Sequence, residues 1–499
     1  MFPNNIPDEK YSLQSRLFGH RIKPSQTKYE YLIEFLQVAI ATKTGNDGRG
    51  IISEEMFPIE NFPKGDFFYS PETRIGLKRF IFFPKSKIDG KAEVDEDAYA
   101  ACIKNIENKI DCDNTVKKKN GVSIIQNLLN GFSAVNQNRS WFDKSMLPIC
   151  KEVILPEGMG VKKSRQKLEF DINSCDVDDK FEYKMYTFMC RGGEIYYLHL
   201  FNALLDYPEY KDIIEERLED MITSFPQIKY LCDFVQDTWE DCYNAHNSTK
   251  KKVDKKFGAI PDSFSQRNEF TVKELNNFLN SKLHPFEKIE IFANGILLQM
   301  MRMMYLASSN DKESNCWVID VNCADIKNEE IKKCAISSFR HNEEIISTYL
   351  YDGLNKYREE LAESDENKII KDAANDSYRL FRKLGKTIGI IIPNTGKGMR
   401  FSLSEDIIKF LVLSIIKPKQ MITLDLFIEK LYEHFGMVIG PKQYQMEMEK
   451  GHVVKVSDYS FLETNVESFS QKLKDCGFLR DLSDATSIVE NPYESEVDL

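Results

Sequence analysis

Glu169-Phe170-Asp171 and Asp320-Val321-Asn322 are the strand-like acidic runs in this 499-residue chain that would suit a divalent-metal nuclease. That chemistry needs an acidic pair and a lysine gathered around a metal-bearing strand. Neither run is followed by Glu-x-Lys at a workable spacing, and Lys151 stands on the wrong side of Glu152-Val153-Ile154. A metal-dependent nuclease with a degenerate motif, resting on Asp171 or Asp320, stays as one alternative. Phosphate-loop chemistry fails more plainly. Gly385-Lys386-Thr387 has the required ending, but Leu380 stands where the first glycine belongs. Gly396-Lys397 meets Ile391 at that place and lacks the following Ser or Thr. No CxxC, HxxxH, HExxH or GxSxG occurs. Cys242 and His246 stand four apart and would need distant partners to hold a metal. The expectation is no catalytic residue, no metal and no cofactor.

Two constellations have binding rather than catalytic chemistry. Arg191-Gly192-Gly193-Glu194 precedes the helical Ile195–Leu200, and two glycines at a helix start can present N–H groups to an anion beside Arg191. The competing reading is a tight turn with Arg191 in a structural ion pair, since Glu194 already suits the helix dipole. Near the C-terminus, Ser468, Gln471, Lys472 and Lys474 fall on the outer side of a helix. Lysine neutralises phosphate, while Gln and Ser reach base edges or backbone. Glu463, Glu467 and Asp475 share that helix, and residues 400–499 hold 11 Lys+Arg against 17 Asp+Glu. Nonspecific DNA affinity follows positive charge, so these four residues suit a protein partner better than DNA.

The elements that would position them follow the order of a winged helix. Arg400–Leu403 reads as a short strand, and Ser404-Glu405-Asp406 caps a helix through Ile415. Thr423 and Asp425 open a second helix closed by Gly436, with Leu424, Phe427 and Leu431 in a small core. A third runs from near Asn465 to Gly477, adding Leu473, and Phe478 follows it; two apolar runs around Leu482–Ala485 make the wing. The stretch Gly440–Phe461 between the second and third helices reads as a long inserted loop.

The rest of the chain bounds the class. The balance of 67 Lys+Arg against 78 Asp+Glu gives a net charge of -11, which argues against wholesale wrapping of nucleic acid. The eleven cysteines are odd in number and scattered through helical contexts, and Met1–Asn5 has no signal-like start. Reduced thiols in a cytoplasmic protein are expected. No apolar run reaches membrane length; Ile291–Leu306 comes nearest and is broken by Asn294, Gln299 and Arg302, so it reads as a buried core helix, its Met300–Met304 cluster included.

The fold class expected is mainly α with small β elements, a multi-domain helical body carrying a C-terminal winged helix. The domains expected are an α+β domain over 1–180, a helical domain over 181–384, a hinge over 385–399 and the winged helix over 400–499. Helices are expected at Gln26–Lys43, in two pieces between Ala98 and Gly131, and through most of 194–384. The small strands fall within 51–90, where Arg79–Phe83 reads as a buried strand, and within 146–178. Lys117-Lys118-Lys119 reads as a solvated loop and Lys250-Lys251-Lys252 as an exposed linker.

The winged order, with Phe435-Gly436 before an apolar strand and Leu482–Ala485 leading to Val489-Glu490-Asn491-Pro492-Tyr493, resembles uncharacterised accessory proteins of bacterial anti-phage defence operons. Arg191–Leu200 and Tyr29–Val38 are similar too. The resemblance implies a non-enzymatic adaptor or scaffold subunit of a DNA-associated defence complex. It would dock other subunits, and double-stranded DNA if the third helix reads it. An autonomous nucleic-acid-binding regulator is the other alternative.

Overall fold

The computed structural model describes residues 2–3, 12–22, 26–45, 50–72, 74–86, 93–135, 141–155, 192–243, 255–256, 258–309, 316–321, 329–361, 365–483 and 486–496. The protein is mainly helical and multi-domain, with small β elements. It divides into two compact units. One comprises Met1–Lys28, Ile195–Arg217 and Gly258–Leu499; the other comprises Tyr29–Glu194 and Leu218–Phe257. Among the described residues no helix is long and apolar enough to cross a membrane.

In the second unit, the expected N-terminal helix is Lys28–Ile40, with Tyr31, Leu32, Phe35 and Leu36 buried. Thr42–Gly45 then pairs antiparallel with Ile52–Ser53 and Phe67–Ser70, and Lys255–Lys256 adds to the far edge. The Arg79–Phe83 expectation is corrected: the run belongs to a helix, Ile75–Phe82. Phe80, Ile81 and Phe82 are all buried, so no polar residue reveals the period, and a short apolar run reads alike as strand or helix. The helix is fixed by Pro226–Tyr243, which supplies Gln236 Oε1 to the Leu77 N–H at 3.1 Å. Trp239 sits so close to Gly76 that a Cβ there would lie 2.3 Å from the indole. Lys117–Lys119 are also corrected. They lie not in a loop but in the opening of helix Thr115–Gly131, whose first N–H groups are capped by Asn114 Oδ1 at 2.9 and 3.2 Å. Of the 146–178 strands, Ser145–Met146 pairs with Ser133–Val135; residues 156–191 lie outside the described residues, as does the 250–252 linker.

In the first unit, a short helix Leu13–Phe18 is capped by Ser12 and closed by Gly19 at φ 80°. Leu17 packs where a Cβ on Gly353 would stand, Arg16 pairs with Glu360, and Arg21 Nε meets Asp376 Oδ2 at 2.7 Å. The body consists of α1 (Asn268–Asn280), α2 (Pro285–Ser308), α3 (Glu329–Tyr357) and α4 (Glu366–Arg379). Helix α2 is core: Met300, Met301, Met303 and Met304 are buried. Gly295 allows the Phe410 ring to approach to within what would be 2.2 Å of a Cβ.

The C-terminal part continues with α5 (Glu405–Ile415), α6 (Leu424–Phe435), α7 (Pro441–Glu449) and α8 (Ser460–Asp475). The strands of this unit are β1 (Trp317–Val318), β2 (Ile391–Ile392), β3 (Arg400–Phe401), β4 (Met421–Thr423), β5 (Met437–Val438), β6 (Leu479–Ser483) and β7 (Thr486–Glu490). β2 and β3 form an antiparallel pair inside the Gly385–Gly398 region and its flank. β5 runs parallel to β1, and β4, β7 and β6 form an antiparallel sheet in the order β4-β7-β6. The caps fall where the sequence puts them. Ser404 Oγ accepts from Ile407, Thr423 Oγ1 accepts from Leu426, and Gly436 takes φ 64°. Phe427, Leu431, Leu473 and Phe478 are buried, while Leu424 is only half-buried.

The expected 440–461 loop is corrected. It contains α7, opened by Pro441, and buries Tyr444 in a cluster with Val438, Ile331, Cys334, Phe461 and Leu462. Helix α8 starts earlier than Asn465 because Asp458 Oδ1 accepts from the Ser460 N–H at 2.9 Å and Phe461 and Leu462 join that cluster. Asn465 is buried mid-helix. Its Nδ2 donates to Ile319 O at 3.0 Å and Ile439 O at 2.9 Å, and its Oδ1 accepts from Val321 N at 3.0 Å, tying α8 to the ends of β1 and β5.

Candidate functional site

The four α8 residues with contact chemistry are engaged with their own fold. Ser468 Oγ donates to Thr464 O at 2.9 Å, and Gln471 Nε2 donates to Asp475 Oδ1 at 2.7 Å. Lys472 Nζ donates to Leu403 O at 3.1 Å and is half-buried; Lys474 pairs with Asp481 at 2.6 Å. Glu463, Glu467 and Asp475 are exposed on the same helix, so its outward face is acidic. Apolar side chains stand out nearby in the chain: Met421 is 57% exposed on β4 and Leu482 66% on β6, too much for core positions.

Arg191 lies outside the described residues. The glycines after it do not wait for an external anion: Gly193 N–H donates to the Glu34 carboxylate at 2.9 Å. Their small size also sets the packing, since a Cβ on Gly193 would lie 2.3 Å from Tyr31 O and 2.4 Å from Phe35 N. Glu194 in turn accepts from the Tyr69 hydroxyl at 2.8 Å.

Of the acidic runs, Asp171 lies outside the described residues, and Asp320 is held by Arg400 Nε at 2.5 Å, both side chains nearly buried. Burial raises the Asp320 carboxyl above its ordinary range, and the hydrogen bond from Arg400 opposes it. Among the described residues, no group of three or more His, Cys, Asp or Glu is placed to hold a metal ion; the Cys242 and His246 side chains are outside that set.

A further constellation lies where α1, α2, α6 and α7 meet, around a cavity of about 500 Å³ lined by Arg267, Phe270, Arg302, Tyr432, His434, Glu447, Lys450 and His452, among others. Arg267 is buried and fully engaged. It grips Glu274 with bonds of 3.0 and 2.9 Å, donates to Gln299 Oε1 at 3.0 Å and reaches the His434 carbonyl. His434 Nδ1 meets the same Glu274 at 2.9 Å. Across the cavity, Glu447 is met by Lys450 at 2.8 Å, by His452 Nδ1 at 2.9 Å and by the Tyr432 hydroxyl. Burial alone would raise the Glu447 carboxyl; the bonds from Lys450, Tyr432 and His452 prevail and hold it at about 2.

Arg302 differs from both. It is only 4% exposed, and its Nε and Nη1 are buried without a hydrogen-bond partner. Its guanidinium lies 5.6 Å from the Tyr305 ring and 5.4 Å from the Trp317 ring. Burial, with the like charge of Arg267 adding to it, brings its pKa down to about 10. In the sequence the sign of this site is slight: Gln299 and Arg302 interrupt the apolar run Ile291–Leu306 only as polar residues within a helix that also holds Asn294. The other members lie on three further segments, which no local motif connects.

No protein-family description matches this chain, and neither a curated protein nor a solved structure matches it.

Proposed function

We propose that this chain is a non-enzymatic adaptor subunit whose last hundred residues form a winged helix that docks a basic protein surface. The observation that carries the reading is the arrangement of α5, β4, α6, α8, β6 and β7 with the sheet order β4-β7-β6, combined with the acidic outer face of α8. Helix, strand, two helices and a two-stranded wing whose second strand pairs with the first strand is the order of a winged helix, here with β5 and α7 inserted between the second and third helices. On such a module α8 takes the recognition position. Glu463, Glu467 and Asp475 there repel phosphate and attract Lys or Arg of a protein. The protruding Met421 and Leu482 add apolar area of the kind that protein contacts use. The setting, an anti-phage defence complex associated with DNA, rests only on the resemblance carried by Phe435-Gly436, Leu482–Ala485 and Val489–Tyr493, with Arg191–Leu200 and Tyr29–Val38.

The test is purification of the tagged chain from its host with and without nuclease, beside a Glu463→Lys/Glu467→Lys variant. The expected result is a stoichiometric protein partner that survives nuclease and is lost from the variant. A partner retained by the variant, or recovered only through nucleic acid, would overturn the reading.

A further inference from the structure

We propose that the cavity between α1, α2, α6 and α7 binds the phosphoryl group of a small organic phosphate, with Arg302 as its principal anchor.

Charge makes the first argument. Arg267 is neutralised by Glu274, and Glu447 is matched by Lys450. Arg302 has no counter-ion among the described residues: its Nε and Nη1 have no acceptor there, and its guanidinium lies against the Tyr305 and Trp317 rings. A buried guanidinium without a counter-ion is costly, and an anion in the cavity that Arg302 lines supplies the missing opposite charge.

The number of donors makes the second. Besides the Arg302 guanidinium, the half-exposed Lys450 ammonium has three protons and uses two, on Glu447 and on the Tyr432 hydroxyl at 3.3 Å. Arg302 and Lys450 thus bring donors to the cavity from two different segments, beside the Glu433 and Glu447 carboxylates that also line it. Three terminal phosphoryl oxygens take up such a set; a carboxylate, with two oxygens, fits it less fully.

Size makes the third. About 500 Å³ is much more than free phosphate needs and falls within the range of small-molecule pockets. The phosphoryl group therefore arrives on an organic carrier, for which Phe270 and Tyr432 provide ring surface along the wall.

Calorimetric titration of the full chain at constant ionic strength tests this, with inorganic phosphate, pyrophosphate and adenosine monophosphate as probes. The expected result is saturable one-site binding, tighter for the monophosphate ester than for inorganic phosphate. Arg302→Met should weaken it by about 30-fold or more, while the unliganded variant unfolds cooperatively at a temperature no lower than the parent. Should Arg302→Met fail to fold, Lys450→Met on the rim replaces it, with a loss of about tenfold expected. No saturable binding of any of the three probes would overturn the proposal, as would unchanged affinity in the variant. Binding of inorganic phosphate as tight as that of the ester would overturn the organic carrier.

Discussion

Lys472 donates its ammonium to the Leu403 carbonyl at 3.1 Å. The most central positive charge on α8 is thus directed to the segment leading into α5 rather than to a ligand. Changing Gln471, Lys472 and Lys474 together to Glu should leave any affinity for double-stranded DNA, and its dependence on salt, unchanged. Lys472→Glu by itself should lower stability by about 1 kcal/mol. Fluorescence anisotropy across a salt series and urea denaturation measure the two. A steep loss of DNA affinity in the triple variant would return α8 to the role of a DNA reader.

Asn465→Leu should destabilise the protein far more than a surface change. The variant leaves Val321 N–H, Ile319 O and Ile439 O buried without their present partner, at about 1–3 kcal/mol for each such group. A fall of about 4 kcal/mol in urea-derived stability is expected.

Gly193→Ala introduces a Cβ that would meet backbone at 2.3 and 2.4 Å, not a flexible side chain that can yield. The helices must separate, and a loss of about 3 kcal/mol is expected from overpacking. Gly131→Ala, where nothing lies within 4 Å of the added carbon, is the control and should be neutral or slightly stabilising.

Stability should fall as pH drops from about 6.5 to about 4. Burial lowers His20 to about 4 and His199 to about 3. An unfolded imidazole takes up its proton near pH 6.5, so in this window the unfolded chain binds protons that the folded chain refuses, and each histidine removes about 1.4 kcal/mol per pH unit. Below the ordinary Glu value a further contribution fades: Glu447, held at about 2, stabilises the fold above that value and ceases to as pH falls toward 2. Urea midpoints from pH 8 to pH 4 measure the first effect, and His199→Gln should make the decline shallower.

Gln14→Leu should stabilise the protein by about 1 kcal/mol. Gln14 is fully buried, and both atoms of its amide lack partners, beside a cavity of about 250 Å³. Thermal unfolding checks the direction; a lower midpoint would overturn the expectation.

What the sequence made legible was mostly what short-range chemistry determines. Ser404, Thr423 and Gly436 each act within five residues of themselves, and each cap stands where expected. Arg79–Phe83 misled because burial on every side erases the difference between periods of 2 and 3.6. The 440–461 stretch misled because Tyr444 finds its packing partners at Ile331 and Cys334, more than a hundred residues back. The cavity was hidden for the same reason. Arg267 finds Glu274 seven residues away, but Gln299 lies 32 and His434 167 residues off, so no window of sequence holds the set.

The packing of Leu13–Phe18 has a bearing on how the chain comes to fold during synthesis. Leu17 lodges against Gly353, and Arg16 and Arg21 find Glu360 and Asp376. On the ribosome, therefore, this helix stays without its binding surface until more than three hundred further residues have been translated. A nascent chain stalled before α3 and α4 would display Leu13, Leu17 and Phe18 to chaperones and proteases, which makes this early segment a marker of unfinished product.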